Sequence, residues 1–275
     1  PGRPGSEISS QTRYDLELKV AFCVVDVHLS ETCEPHAPHL ITHVLTTDAT
    51  VADTEATAVI HQGLATRELL PDEHDVDAGY VTAAHIVTAR ETHGIELLGP
   101  VGLDTCHENY EGEHFTQSTF TIDWKAKKAV CPQGKISASW SDQRKNSGTP
   151  VSRVHFTAQD CAACPAQGKC TKAANGKWGR SLTLLPQDQQ AALEERRRGK
   201  AAYGTRADVE GTISQAVRVT RTRTTPYRGL DKTHLGHVLT AAGLNLHRLN
   251  TWWNGTPIGT THISRFARLG LELAA

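Results

Sequence analysis

The feature that most constrains the fold is a run at residues 20–29 that is dense in β-branched side chains. Such a run, interrupted by a single acid at Asp26, predicts a buried strand. Residues 40–47 predict a second strand, and the apolar spacing of residues 53–68 predicts a helix. Shorter strand and helix patterns continue to residue 101. The order β-β-α-β-α-β predicts an α/β fold with a sheet of mixed strand directions.

The pattern of apolar and polar residues changes in the second part of the chain. Beyond residue 103 the pattern is polar, with short strand signals and a turn-rich stretch at residues 135–149. Residues 187–218 have a long helical pattern that breaks near Gly199 and Gly204. A last helix at residues 232–253 has an apolar face for which we predict burial in the core, comprising Leu235, Leu239, Ala242, Leu246 and Leu249.

These patterns predict three segments. Residues 1–103 begin the α/β domain, and residues 1–13, rich in Gly, Pro and Ser, are predicted to be disordered. Residues 104–183 form a cysteine-rich inserted subdomain. Residues 184–275 complete the α/β domain with helices.

Charge is distributed unevenly along the chain. Residues 1–124 carry 5 Lys+Arg against 21 Asp+Glu, and residues 125–275 carry 24 against 9, although the net charge is only −1. The basic half could neutralise phosphates, which makes nucleic acid a candidate partner; two oppositely charged solvated faces are the alternative. No apolar run is long enough for a membrane span and no export signal is present, so we predict a cytoplasmic protein.

Four cysteines have a spacing typical of a metal site. Cys131, Cys161, Cys164 and Cys170 give the pattern C-x29-C-x2-C-x5-C. Two thiolates separated by two residues can hold one tetrahedral Zn(II) from a tight turn, and seven cysteines in a cytosolic chain argue against a disulfide framework. We predict a structural zinc site, with free thiols as the alternative.

A helical stretch near residue 210 contains a second candidate site. Tyr203, Arg206 and Glu210 fall within about 60° of one another on a helix. The Glu210 carboxylate can hold a divalent metal and Arg206 can bind a phosphate, whereas an exposed ion pair four residues apart is the alternative. Asp77 ends a short predicted strand two residues before Gly79, and it offers another carboxylate at the carboxyl end of a strand, where ligands commonly bind.

Taken together, these motifs resemble a bacterial insertion-sequence transposase of the DDE type. The resemblance runs from about residue 27 to residue 253 and is carried by residues 29–33, 38–44, 76–80, 131–134, 161–170 and 209–212. Its most specific part is the signature Y-x2-R-x3-E-x6-K/R, which Tyr203, Arg206 and Glu210 match in type and spacing. Val217 stands at the final basic position, and Arg218 follows one residue late.

The resemblance implies a ribonuclease-H-like fold, in which helices flank a mixed sheet and a cysteine-rich, zinc-binding insertion precedes the last catalytic helix. It implies an enzyme in which three acids hold two Mg(II) or Mn(II) ions for phosphodiester hydrolysis and strand transfer. Asp77 corresponds to the second acid and Glu210 to the third, with Arg206 and Tyr203 beside it. DNA, as transposon terminal repeats and target, is the implied partner. We also expect a homodimer and association with the nucleoid.

The first acid of the family is the departure from this pattern. In relatives it lies upstream of the strand that corresponds to residues 24–29, and this chain begins at Pro1 and contains no methionine. We therefore predict an N-terminally truncated copy with little or no activity. Asp26, which stands where relatives have a lysine, is the candidate surrogate for the first acid. A non-catalytic, zinc-containing DNA-binding protein and a metal-dependent nuclease of the same fold are the competing hypotheses.

Overall fold

The computed structural model describes residues 14–15, 20–21, 25–34, 37–102, 115–171, 178–198, 207–220 and 224–255. The described strands are β1 Tyr14–Asp15, β2 Val20–Ala21, β3 Val25–Glu31, β4 Ile41–Asp48, β5 Glu73–Asp75, β6 Glu96–Leu98, β7 Thr121–Asp123, β8 Lys128–Val130, β9 Ser139–Arg144, β10 Pro150–Thr157 and β11 Trp178–Leu184. The described α-helices are α1 Asp53–Thr66, α2 Ala83–Thr88, α3 Ala158–Ala162, α4 Gln167–Cys170, α5 Gln187–Arg198, α6 Ala207–Thr220 and α7 Leu230–Trp253.

The chain divides into two compact units. Unit 1 comprises residues 1–80 and 203–275, and unit 2 comprises residues 81–202. Unit 1 therefore contains β1–β5, α1, α6 and α7, and unit 2 contains the remaining elements. The predicted division at residues 103 and 183 stays a prediction.

Unit 1 is built on the antiparallel pair β3 and β4, in which His28 lies opposite Leu45 and Leu29 lies opposite Val44. Side chains alternate between the two faces of such a pair. Leu45 packs against α1, whose buried stripe is Ala56, Ile60 and Leu64. On the other face, Leu29 and Val44 pack against a cluster that α6 and α7 share with β4, made of Ile41, Ala216, Ala241 and Leu244. The strand pair is thus sandwiched between α1 and α7.

The helix α7 forms as predicted, but the prediction for its leucine face is wrong. Its buried residues are Thr233, His237, Ala241 and Leu244. The side chains of Leu235, Leu239 and Leu246 are exposed. The apolar period identified the helix correctly, yet the contacts with β4 are made by smaller and more polar side chains. Hydrophobicity alone could not show which face the sheet would cover.

Unit 2 contains a three-stranded antiparallel sheet in the order β11-β10-β9 and the antiparallel hairpin β7-β8. Its apolar core includes Phe120, Val154, Phe156, Leu182 and Leu184. The strand β9 lies within the stretch that was predicted to be rich in turns. The sequence did not predict this strand because its residues are mostly polar. Tertiary contacts hold it: it pairs with β10 along its length, and Trp140 makes an edge contact with Trp124 at a ring distance of 5.6 Å.

The combination of helices and sheets agrees with the predicted α/β class, whereas the ribonuclease-H-like topology stays a prediction. The helix α5 ends at Arg198 and α6 begins at Ala207. The predicted break positions, Gly199 and Gly204, lie outside the described residues. Among the described helices, none combines the length and apolar character that crossing a membrane requires.

Candidate functional site

A buried histidine and a partly buried tyrosine anchor the loop that carries Asp77. The His28 Nδ1 atom lies 2.6 Å from the Tyr80 hydroxyl, and its Nε2 atom lies 2.9 Å from the Thr47 hydroxyl. A neutral imidazole donates from one ring nitrogen and accepts at the other, and both hydroxyls can take either role. The Thr57 hydroxyl of α1 also donates to the Tyr80 carbonyl at 2.7 Å. Tyr80 therefore ties its loop to β3, β4 and α1.

Three aspartates surround this pair. Asp53, in the first turn of α1, has its Oδ1 atom 4.0 Å from His28 Nδ1. Its carboxylate lies so close to Gly79 that a Cβ there would be 2.7 Å from Asp53 Oδ2. Asp77 accepts the Ala78 N–H at 2.6 Å and its carbonyl accepts the Tyr80 N–H at 3.0 Å. Asp26 lies opposite Thr47, on the same face of β3 as His28.

The electrostatics of Tyr80 and His28 reflect this acidic surrounding. Burial, followed by the carboxylates of Asp53, Asp26 and Asp77, raises the pKa of Tyr80, so its hydroxyl stays protonated. Burial also lowers the pKa of His28, against the opposing effect of Asp53 and Asp26. The pair is thus neutral, and the negative charge of the group resides on the carboxylates.

A second buried network anchors α6 and α7 to the far end of β3. Arg248 Nη1 donates to Glu31 Oε2 at 2.9 Å, and the Thr212 hydroxyl bonds the same carboxylate oxygen. Arg248 also donates to the His39 carbonyl and to Gln215 Oε1. The side chain of Glu31 is only 1% exposed and that of Arg248 is 13% exposed. This network fixes the position of α6 against β3.

The structure brings only some of the predicted site residues together. Asp77 and Asp26 share the surroundings of Tyr80. Glu210 belongs to α6, which is bound at the Glu31 end of β3, about 17 Å along the strand from Asp26. Tyr203 and Arg206 lie outside the described residues, and the Glu210 side chain is likewise not described. Within the described part of the chain, no group of three or more His, Cys, Asp or Glu side chains is arranged to hold a metal ion.

The four predicted zinc cysteines line one cavity of unit 2. The cavity has a volume of about 30 Å³, and Cys131, Cys161, Cys164 and Cys170 all contribute to its wall. Cys170 is buried, and Cys131 and Cys161 pack against the apolar core. This volume exceeds what a single water molecule needs. The four thiols are therefore neighbours at the edge of the core, although they are not in metal-ligating geometry.

Backbone N–H groups point at two of these sulfurs. The Lys135 N–H donates to Cys131 Sγ and the Arg180 N–H donates to Cys161 Sγ, both at 3.3 Å. Cys131 begins a turn closed by the Gly134 N–H, and Gly134 has a positive φ of 78°. Gly179 lies so close to Cys161 that a Cβ would be 2.4 Å from its sulfur. Four cysteine sulfurs are a donor set that structural zinc sites use, and backbone N–H groups commonly bond the sulfurs in such turns.

The chain segment that contains these cysteines carries an excess of exposed positive charge. Residues 115–171 contain eight Lys and Arg against three acidic residues. All eight are exposed: Lys125, Lys127, Lys128, Lys135, Arg144, Lys145, Arg153 and Lys169. Two of them have acidic partners, Lys127 with Asp142 and Lys135 with Asp160. The excess of positive charge can bind phosphates.

An acidic group in one unit and an exposed basic surface in the other are features that metal-dependent enzymes of nucleic acids use. Residues 130–250 match the family model described as the transposase DDE domain. Over these residues the chain is similar to that domain, and the match supports the resemblance to a DDE-type transposase that the motifs predicted. The family implies DNA as the partner and a divalent metal as the usual cofactor. No curated protein and no solved structure matches the chain.

The sequence did not point to several residues around these sites. Tyr80 belongs to the motif at residues 76–80, but the motif predicts no role for it, and Asp53 marks only the start of a predicted helix. His28, a polar residue in a β-branched run, was the available signal, because a buried imidazole needs partners for both nitrogens. Nothing in the sequence linked Glu31 to Arg248, which are 217 residues apart.

Proposed function

We propose that the chain is the catalytic part of a DNA transposase that cleaves and joins DNA at transposon ends with divalent metal ions. Asp77 and Glu210 are the metal-binding carboxylates, Arg206 and Tyr203 assist Glu210, and Asp26 is the surrogate for the first acid. Mg(II) or Mn(II) would polarise the phosphate and activate the attacking oxygen. The ribonuclease-H-like topology of the family and a homodimer that handles two DNA ends belong to this proposal.

The observation that carries the proposal is the family match over residues 130–250, together with the grouping of Asp77 and Asp26 around Tyr80. The Tyr80 contacts hold the Asp77 loop in one position, which limits the entropy lost when a metal binds. The helix α6, which carries Glu210, is anchored at the Glu31 end of β3. Because this end lies about 17 Å along the strand from Asp26, we expect the acids to bind a metal only weakly. We therefore propose a copy with little strand-transfer activity.

Metal binding tests the assignment of the acids. Isothermal titration with Mn(II) is expected to show weak binding that Asp77→Ala and Glu210→Ala each reduce by on the order of tenfold or more, since each removes a ligand. Asp72→Ala, an exposed acid five residues before Asp77, is the matched control and should bind Mn(II) like the parent. A Glu210→Ala variant that binds normally would remove Glu210 from the site.

A nicking assay on DNA that contains transposon ends tests activity. Little or no metal-dependent cleavage is expected from the chain alone, because two acids leave one phosphate oxygen poorly stabilised. Robust cleavage that needs Asp77 and Glu210 but not Asp26 would contradict the proposed inactivity.

We also propose that Cys131, Cys161, Cys164 and Cys170 hold a structural Zn(II) ion. Their common cavity, the backbone N–H donors and the closed set of four thiols support this assignment. A small sheet buries little apolar surface, and such an ion would add the stability that its small core lacks.

Metal analysis of the purified protein tests the zinc site. We expect one zinc per chain, and we expect Cys164→Ser or a chelator to remove it and lower the melting temperature of unit 2 by more than about 5 °C. Cys33→Ser, which alters an exposed cysteine of unit 1, is the matched control. Protein without bound zinc whose melting ignores the chelator would show that these are free thiols.

The exposed basic surface of unit 2 favours one alternative, a non-catalytic, zinc-containing DNA-binding protein. Its eight Lys and Arg side chains would bind the DNA backbone without regard to the acids of unit 1. DNA binding that falls steeply with salt, yet ignores Mn(II), Asp77→Ala and Glu210→Ala, would favour this function over catalysis.

A further inference from the structure

The helix α7 has an apolar stripe on the side that faces away from β4. The side chains of Leu239, Leu246 and Trp253 are 62%, 68% and 72% exposed. The stripe advances in steps of four, three, four, three and four residues. We call it the α7 seam, and it comprises Leu235, Leu239, Ala242, Leu246, Leu249 and Trp253.

This spacing is specific for contact with another helix. Steps of three and four residues average 3.5 per turn, and such a stripe stays against a partner helix along its whole length. Within unit 1, the packing of α7 on the sheet is already accounted for by Thr233, His237, Ala241 and Leu244. The seam is therefore a second apolar face on a helix that needs only one for its own fold.

We propose that the α7 seam pairs with the α7 seam of a second copy of this chain, in antiparallel orientation about Ala242. In this arrangement Leu239 packs against the partner's Leu246, and Leu235 packs against the partner's Leu249. The small residues Ala242 and Gly243 meet at the two-fold axis, where the helices approach most closely. This pairing rests on the homodimer of the proposed function, for which it names the contact surface, but it does not depend on the metal site.

The charges of α7 agree with self-association in this orientation. The positions that flank the seam are uncharged: Gly236, Val238, Gly243, Asn245, Asn250 and Trp252. No like charges therefore meet along the contact. The antiparallel orientation also places Trp253 beside the partner's Lys232, where the ring can accept a cation. A parallel pair would instead bring Lys232 near its own copy and align the two helix dipoles.

The area of the seam is close to that of a standard protein interface. The exposed parts of the seam side chains, with Val238 and Trp252 beside them, amount to about 700 Å² per copy, given that a fully buried aromatic side chain contributes 150–250 Å². A standard protein interface buries about 800 Å² per partner. The seam alone thus approaches the size of a specific dimer interface.

Sedimentation of the full chain at about 50 µM tests the pairing, since interfaces of standard size have dissociation constants from about micromolar downwards. We expect twice the mass of the chain, and we expect Leu239→Glu combined with Leu246→Glu to give a monomer with unchanged circular dichroism. His247→Glu, an exposed change on the same helix but off the seam, should remain a dimer. A monomeric parent, or a dimer that survives the double substitution, would overturn the proposal.

Oxidative cross-linking tests the orientation and does not depend on the folding of the glutamate variants. Ala242→Cys should cross-link to itself well above the parent background, whereas Leu235→Cys should cross-link only when mixed with Leu249→Cys. Self-cross-linking of Leu235→Cys would overturn the antiparallel arrangement. A monomeric parent that becomes dimeric when residues 256–275 are deleted would show that the chain's own C-terminal segment covers the seam, and would equally overturn the proposal.

Discussion

Replacing Arg248 by methionine is expected to lower the free energy of unfolding of unit 1 by about 3–5 kcal/mol, the usual cost of leaving a buried charge without its partner. The Glu31 side chain is almost fully buried, and its Oε1 atom has no hydrogen-bond partner within the described part of the chain. Without Arg248, the Thr212 hydroxyl is the one partner that the carboxylate keeps among the described residues. The same substitution also removes donors to the His39 carbonyl and to Gln215.

Urea unfolding, combined with hydrogen exchange of the β3 and β4 amides, measures this effect for unit 1 alone. Arg228→Met, an exposed substitution just before α7, is the control and should change stability by less than about 0.5 kcal/mol. The pair of changes Glu31→Leu and Arg248→Met should recover most of the loss, because two apolar side chains can replace a buried ion pair. A loss below about 1 kcal/mol for Arg248→Met would show that Glu31 is not held as described.

Acidification is expected to destabilise unit 1 between pH 6.5 and pH 4. Burial lowers the pKa of His74 to about 4, and it also lowers the pKa values of His28, His43 and His237. These histidines are neutral in the folded state and bind protons on unfolding, so stability is full above pH 6.5 and falls as the pH drops. For His74 alone, each pH unit below 6.5 costs about 1.4 kcal/mol until its folded pKa is reached.

The packing explains why these imidazoles resist protonation. His61 Nε2 lies 3.1 Å from His74 Nδ1, a hydrogen bond that exists only while one of the two nitrogens lacks a proton. His237 Nδ1 lies 2.9 Å from the Thr46 hydroxyl in the layer between β4 and α7. His43 lies against Gly63 of α1, where a Cβ would be 2.1 Å from its Nε2 atom. A charged imidazole at any of these places would have to leave the packed layer.

Urea unfolding of unit 1 at several pH values from 8 to 5 measures the dependence, in a range where the carboxylates remain largely ionised. His74→Gln should reduce the slope of stability against pH, and His247→Gln, at an exposed position of α7, controls for the loss of a histidine. A stability that is flat between pH 8 and pH 5 would contradict the buried neutral state.

Much of the local structure was predictable from the sequence because it depends on short-range patterns. The predicted helix at residues 53–68 is α1, and the predicted strand at residues 40–47 is β4, within one or two residues at each end. The cysteine spacing and the signature around Glu210 were sufficient for the resemblance that the family match supports. Local spacing carries this information because turns, helices and metal-binding knuckles are formed by neighbours in the chain.

What the sequence by itself determined is therefore the class of the elements, the transposase resemblance and the cysteines that belong together. Only the tertiary structure decided which face of α7 is buried, that Glu31 pairs with Arg248, and that Asp53, Asp26 and Asp77 surround Tyr80. The physical reason is that these choices depend on contacts between residues far apart in the chain. The leucine stripe of α7 has the pattern of a buried face, yet it is exposed, because His237 and its neighbours make the contacts with the sheet.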